Sequence, residues 1–190
     1  MLFDVFKDKR VLITGHTGFK GSWLSIWLLS LGADVYGYSL PPRTKIDNFN
    51  TCLLENKVNH YIGDILDYEL LLSYVKKIKP EIIFHLAAQP LVIESYKNPK
   101  ITFETNVNGL INCIEVARSI DSIKTFINIT SDKCYEDNNN LPFKENDRLG
   151  GIDPYSASKS MCEILAKSYI NSFLNDGSHL SLASVRAGNV

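Results

Sequence analysis

What this sequence lacks narrows its class first. Its four cysteines, Cys52, Cys113, Cys134 and Cys162, are scattered with no CxxC pair. That usage suits a reducing compartment and argues against a disulfide frame or a zinc knuckle. The four histidines, His16, His60, His85 and His179, fall at no metal-ligand spacing, so no metal site is expected. A formal net charge of −1 removes the electrostatic case for nucleic acid or an anionic membrane as a partner. No apolar run reaches the roughly 18 residues of a membrane span. The opening residues, Met1 to Asp8, lack the basic-then-apolar order of a signal peptide. Internal repeats and low-complexity tracts are absent as well. What remains is the composition of a cytoplasmic globular protein, 45% hydrophobic and 22% charged over 190 residues, about the size of one domain. Asn128-Ile129-Thr130 matches a glycosylation sequon, but inside an apolar strand it reads as chance.

Short apolar runs alternate with longer helical patterns, the mark of βαβ units and a parallel sheet. Arg10–Thr14, Asp34–Leu40, Val58–Ile62, Glu81–His85, Lys124–Thr130 and Leu180–Arg186 read as six strands. Helices are expected from Gly18 to about Leu31, from Tyr68 to Ile78, from Pro99 to Arg118 and from Pro154 to Leu174, with a short one near Phe49 to Leu54. In the first helix Trp23, Leu24, Trp27, Leu28 and Leu31 recur at helical spacing, which reads the two tryptophans as core. Gly32 is the expected C-cap, and Asp176-Gly177 a turn. Residues 136–153, rich in Asp, Asn, Gly and Pro, form a loop long enough to suggest a lid over a site. The fold class is α/β: a doubly wound parallel-sheet Rossmann fold, with residues 1–190 as one dinucleotide-binding domain.

Gly15-His16-Thr17-Gly18-Phe19-Lys20-Gly21 follows the first strand and opens the first helix. A dinucleotide site needs glycine there for a tight turn, for close approach of backbone to pyrophosphate and for packing of helix on strand. The helix N-terminus offers unpaired N–H groups to the phosphates, and Lys20 adds a point charge. The spacing is GxxGxxG, so Gly15, Thr17, Gly18, Phe19, Lys20 and Gly21 are candidates by position between strand and helix. The second strand ends Tyr38-Ser39-Leu40 without the carboxylate that would hold NAD ribose hydroxyls, and Arg43 follows. Ser39 suits a ribose and Arg43 a 2′-phosphate, so NAD and NADP both stay open. Asp64 and Ile65, after the third strand, are placed to meet adenine, although an aspartate there also suits a helix cap. Leu86, Ala87 and Ala88 leave the fourth strand as small residues, as a backbone passing close to a cofactor would. His85 reads as packed rather than catalytic.

Tyr155 and Lys159 stand at i and i+4 in YSASK, on one face of a helix. A phenol titrating near 10 is a poor base at neutral pH, and a neighbouring ammonium or a cationic nicotinamide favours its phenolate. Ser131, Asp132 and Lys133 end the fifth strand, at the sheet edge where open α/β folds bind ligands. A hydroxyl, a carboxyl and an amine in consecutive places make an acid–base set; a plain polar turn is the alternative.

Together GHTGFKG, HLAAQP, TSDKCY, DPYSASK and RAGNV resemble the extended short-chain dehydrogenases/reductases, within them the NAD-dependent epimerase/dehydratase family. The likeness spans essentially the whole chain. It implies a nucleotide-sugar 4,6-dehydratase, with CDP-glucose as substrate and tightly recycled NAD as cofactor. Such an enzyme oxidises C4 of the glucosyl unit, loses water across C5–C6 and returns the hydride to C6. By the resemblance Tyr155 is the C4 base, Lys159 holds the nicotinamide ribose and Ser131 bonds the C4 oxygen. Asp132 would protonate the departing C6 hydroxyl. Lys133 stands where many relatives carry the glutamate that takes the C5 proton, and a lysine does this only when neutral. The resemblance also implies a homodimer, through the helices at 99–118 and 154–174. It implies too a smaller C-terminal substrate domain beyond RAGNV, which this chain is expected to lack. A nucleotide-sugar 4-epimerase and a non-catalytic NAD-binding fragment are the competing readings.

Overall fold

The computed structural model describes residues 2–137, 142–174 and 177–188. Six strands, β1 (Arg10–Thr14), β2 (Asp34–Ser39), β3 (Asn59–Ile62), β4 (Ile82–His85), β5 (Thr125–Ser131) and β6 (Ser181–Ala187), lie in the order β3-β2-β1-β4-β5-β6. Every pairing is parallel. The chain winds outward in one direction from β1 to β3 and in the other from β4 to β6. A crevice opens where the direction reverses, at the C-terminal ends of β1 and β4. The expected Rossmann fold is what forms.

Strand alternation sends side chains to two cores. Val11, Ile13 and Val35 pack with Leu28, Phe49 and Leu54 on one face, and Leu12, Tyr38, Ile83 and Phe126 with Leu71, Val75, Leu110 and Ile114 on the other. Each fully buried Leu or Ile contributes about 1.5–3 kcal/mol. The helices over these faces are α1 (Phe19–Ser30), α2 (Asn48–Thr51), α3 (Tyr68–Ile78), α4 (Val92–Lys97), α5 (Pro99–Phe103), α6 (Gly109–Arg118) and α7 (Pro154–Phe173). Asp67 caps α3 by accepting from Leu70 N at 3.0 Å, and Asp153 caps α7 from Ser156 N at 3.0 Å. Past α1, Gly32 at φ 79° allows Ala33 N to reach Leu28 O and Gly32 N to reach Leu29 O, a Schellman ending.

Several expectations need correction. Trp23 and Trp27 are each 53% exposed, whereas α1 buries Gly21, Ser22, Ser25 and Leu28. Small residues face the sheet because the helix lies close: a Cβ on Gly21 would stand 2.2 Å from Gly15 O. The bulky residues are therefore turned outward. The helix expected over 99–118 has those bounds and is unbroken, but α5 and α6 are joined by a π-helical stretch, Glu104–Asn108, that was not anticipated. Helix α4 and a 3-10 helix at Leu2–Phe6 were not anticipated. Of the loop expected over 136–153, residues 138–141 lie outside the described residues, as do Asp176 and the Asn189-Val190 end of RAGNV. Gly177, at φ 99°, has the left-handed backbone of a turn.

Candidate active site

The crevice is a cleft of about 1050 Å³, at the upper end of small-molecule sites. Every residue proposed from the sequence as a cofactor contact borders it: Gly15, Thr17 to Gly21, Ser39, Asp64, Ile65, Leu86 to Ala88, Tyr155 and Lys159. Gly15 has φ 77°, and a Cβ there would stand 2.7 Å from Ala87 N. Gly18 sits at the N-cap of α1, so the free N–H groups of the first turn belong to the glycine loop. This bare backbone beside a helix N-terminus is a cradle that fits a pyrophosphate, and side chains would fill it.

Beneath the loop lies a support that the sequence reading left unassigned. His16 is fully buried, its Nε2 2.6 Å from His60 Nδ1, and its ring leaves no room for a Cβ on Gly37. Burial, followed by the charge of His60, lowers its pKa to about 3. Thr14 Oγ1 pairs with His85 Nδ1 at 2.8 Å and accepts from Ala87 N at 3.3 Å. His85 is packed, as expected, and burial, then nearby Lys159, lowers its pKa to about 3.

At the end of β2, Thr17 Oγ1 and Ser39 Oγ are 2.8 Å apart, and Thr17 also donates to Leu40 O at 2.9 Å. Ser39 thus ties the loop to the strand as well as bordering the cleft. Asp64 accepts from Leu66 N at 2.9 Å in a local turn, leaving the cap of α3 to Asp67. Lys20 is exposed and donates to Gly188 O at 3.5 Å, just past the end of β6.

Helix α7 brings Tyr155 and Lys159 together, with Lys159 Nζ over the phenol ring at 6.0 Å from its centroid. Lys159 is 8% exposed, and burial lowers its pKa. Tyr155 is raised above its ordinary value: burial dominates, a hydrogen bond with Ser131 works the other way, and Asp132 and Asp153 add to the rise. The direction is the opposite of the lowering expected from a nearby ammonium, because desolvation outweighs the hydrogen bond with Ser131. Ser131 Oγ donates to Asp132 Oδ1 at 3.0 Å, and Lys133 N donates to Ser131 Oγ at 3.3 Å. The structure thus joins Tyr155, Ser131 and Asp132 in sequence, while Lys133 is exposed on the 3-10 turn Asp132–Cys134.

Two buried polar residues, Asn106 and Glu163, and the partly exposed Arg186 escaped the sequence reading. Asn106, in the π-helical stretch, accepts from Gln89 N at 2.7 Å and donates to Ser158 Oγ at 2.8 Å, linking the exit of β4 to α7. Glu163 and Arg186 pair at 2.8 Å. Helical spacing was the available signal, since Glu163 continues the Tyr155–Lys159 face by one further step of four. The described part of the long loop does not border the cleft. Residues Glu145 to Asp147 and Leu149 line a separate cavity of about 300 Å³ with Glu163 and Arg186.

A family model described as GDP-mannose 4,6 dehydratase matches residues 12–179. The chain belongs to that family. It is 47% identical, over 98% of its length, to the CDP-glucose 4,6-dehydratase of Salmonella typhimurium, of which it covers 54%. Over 93% of its length it is 31% identical to the UDP-glucose 4-epimerase of Mycolicibacterium smegmatis, of which it covers 56%. Among solved structures, a Thermus thermophilus UDP-glucose 4-epimerase in complex with NAD superposes with TM-score 0.78 at 26% identity, over 93% of this chain and 55% of that one. A Thermotoga maritima UDP-glucose 4-epimerase with UDP-glucose gives TM-score 0.80 at 26% identity, over 93% and 54%. The chain spans about half the length of the relatives it matches. Among the described residues no helix is long and apolar enough to cross a membrane.

Proposed function

We propose that this chain is the NAD-binding, catalytic half of a CDP-glucose 4,6-dehydratase. The observation that carries the reading is the meeting of the Tyr155/Lys159 face with the Ser131–Asp132 turn beside a dinucleotide-sized cleft. The 47% identity to a protein of that activity supports it. A nicotinamide dinucleotide in the cleft would supply the hydride acceptor at C4 and the hydride donor at C6, and its cationic ring would favour the Tyr155 phenolate. Tyr155 takes the C4 hydroxyl proton while Ser131 bonds the same oxygen. Lys159 holds the ribose hydroxyls. Asp132 gives a proton to the departing C6 hydroxyl, which leaves as water, and Lys133 takes the C5 proton once substrate encloses its amine. NAD is favoured over NADP by the NAD-bound relatives, although Arg43 on the cleft rim would accept a 2′-phosphate.

Incubation with NAD and CDP-glucose tests the reading: the product is one water lighter than the substrate. Asp132→Asn is expected to yield a 4-keto sugar nucleotide that keeps its C6 oxygen, and Lys133→Ala to lose turnover. Full turnover by Lys133→Ala removes that residue from the scheme. The epimerase reading is favoured by the UDP-glucose 4-epimerase relatives, and a product of unchanged mass would establish it. NAD binding without turnover of any sugar nucleotide would leave a cofactor-binding unit. A homodimer through α5 and α7 fits their exposed Ile101, Met161 and Ile164, with sedimentation as its test. The unpaired cysteines suit a cytoplasmic setting.

A further inference from the structure

Glu163 is 5% exposed, and its carboxylate has two partners. Thr130 Oγ1 donates to Oε1, and Arg186 Nη2 donates to Oε2 at 2.8 Å. Arg186 spends its other terminal nitrogen on Tyr135 OH at 2.7 Å and on Glu145 O at 2.8 Å. Its guanidinium lies over the Tyr135 ring at 4.9 Å, and that ring stacks on Phe143 at 4.6 Å. Thr130 and Tyr135 are the residues immediately before and after Ser131–Cys134. The pair therefore grips both ends of the segment that carries Ser131, Asp132 and Lys133. Glu163 also lies four residues beyond Lys159 and eight beyond Tyr155, on the same face of α7.

We infer that Glu163 and Arg186 are a positioning pair, which holds the acid–base turn in register with the Tyr155/Lys159 face. The inference rests on the dehydratase reading. Neither residue borders the cleft. Two of the oxidation groups, Tyr155 and Lys159, ride on α7, which keeps its own anchors at Asp153 and at Ser158 with Asn106. The turn also keeps one anchor without the pair, since Ser160 Oγ donates to Cys134 O at 2.8 Å. Cutting the pair thus leaves a folded helix and a folded turn, but frees the two to shift against each other. Elimination needs both C4 held at Tyr155 and C6 held at Asp132, so it is the step that suffers. Oxidation needs α7 and Ser131, which keeps its place at the end of β5 opposite Ala187, and suffers less.

The test uses Glu163→Gln, Arg186→Met and Arg186→Lys, each loaded with NAD and given CDP-glucose. A displacement near 1 Å lowers a rate about 100-fold, and that loss is expected in dehydration for Glu163→Gln and Arg186→Met. Quenched reactions should then accumulate a 4-keto sugar nucleotide that retains its C6 oxygen, while NAD affinity stays at the wild-type value. Arg186→Lys, which keeps the charge on Glu163 but loses the fork to Tyr135, should recover part of the loss. Amide hydrogen exchange should rise in 131–135 and 142–149 and stay unchanged in β1 and α1. Oxidation and dehydration falling by the same factor would overturn the inference, as would exchange rising across the whole sheet or nowhere. If wild type leaves CDP-glucose unaltered, turnover by this half alone fails, independently of the clamp. The exchange pattern then decides the clamp alone: local loosening upholds it, and any other pattern sinks it.

Discussion

Replacing Gly21 by alanine would put a methyl carbon 2.2 Å from Gly15 O and 2.8 Å from His16 Cα. Both are backbone atoms, so no side chain can rotate away. Reaching even 3.0 Å from the oxygen means opening the gap by about 0.8 Å, between the start of α1 and the glycine loop. Overpacking of this kind costs about 1–3 kcal/mol, and a rigid backbone partner places it at the upper end. Alanine returns about 0.5–1 kcal/mol through helix propensity, because Gly21 lies within the helix. The net is a loss of about 2 kcal/mol, or roughly 4–8 °C in Tm for a domain of this size. Gly18→Ala is the control, since its added carbon meets Gly15 O at 3.3 Å with φ already at −72°. A poorer N-cap should cost it no more than about 1 kcal/mol. Thermal unfolding by circular dichroism ranks the two, and calorimetric titration with NAD follows the cradle. Gly21→Ala should also weaken NAD binding, because the first turn of α1 has moved. If Gly21→Ala melts at or above wild type, the close helix–loop approach is wrong, and with it the account of why α1 buries serine and exposes tryptophan.

Three further outcomes follow from the same geometry. Tyr155→Phe should lower turnover of a sugar nucleotide about 10²–10⁴-fold through loss of the general base, with NAD affinity retained by titration. Trp27→Lys should change stability by no more than about 0.5 kcal/mol, whereas Leu28→Ala should cost about 2–5 kcal/mol; paired denaturant melts give the comparison. His16 and His85 are held neutral with pKa values lowered from 6.5 to about 3. The unfolded chain then binds more protons between those limits, so stability is present above pH 6.5 and is lost as pH falls toward 3. Between pH 7 and 5.5 the two together should cost roughly 2–3 kcal/mol, and urea melts at a series of pH values that show no slope there would refute their burial as neutral groups.

The strands and the glycine loop were legible because parallel, doubly covered strands are continuous apolar runs and because glycine is demanded by backbone approach. Arg10–Thr14 was located to the residue, and all the proposed cofactor contacts border one cleft. The orientation of α1 was not legible, since periodicity says which residues share a face but not which face turns inward. Tryptophan loses to serine there because the helix lies too close to admit an indole. The π-helical stretch was hidden for a similar reason: Asn106 answers to Gln89 and Ser158, partners 17 and 52 residues away, and no local pattern encodes them. The Glu163–Arg186 pair was overlooked because a carboxylate within a helix ordinarily reads as solvent-facing. Its burial follows only from the placing of β6 beside β5.

The position of β1 in the sheet also sets an order of assembly. One of its neighbours, β2, is made next, but the other pairing joins Val11 to Ile82. The backbone against which Gly15 packs is that of Leu86 and Ala87. During synthesis the phosphate cradle must therefore wait for about seventy more residues, and the Tyr155–Lys159 face for as many again. Until β4 arrives, Val11, Leu12 and Ile13 form an apolar strand with one unpaired side, the kind of edge that recruits other chains. Closing so long a loop is slow relative to helix formation. Nascent chains that have emerged only through about residue 80 should be the ones most in need of a chaperone.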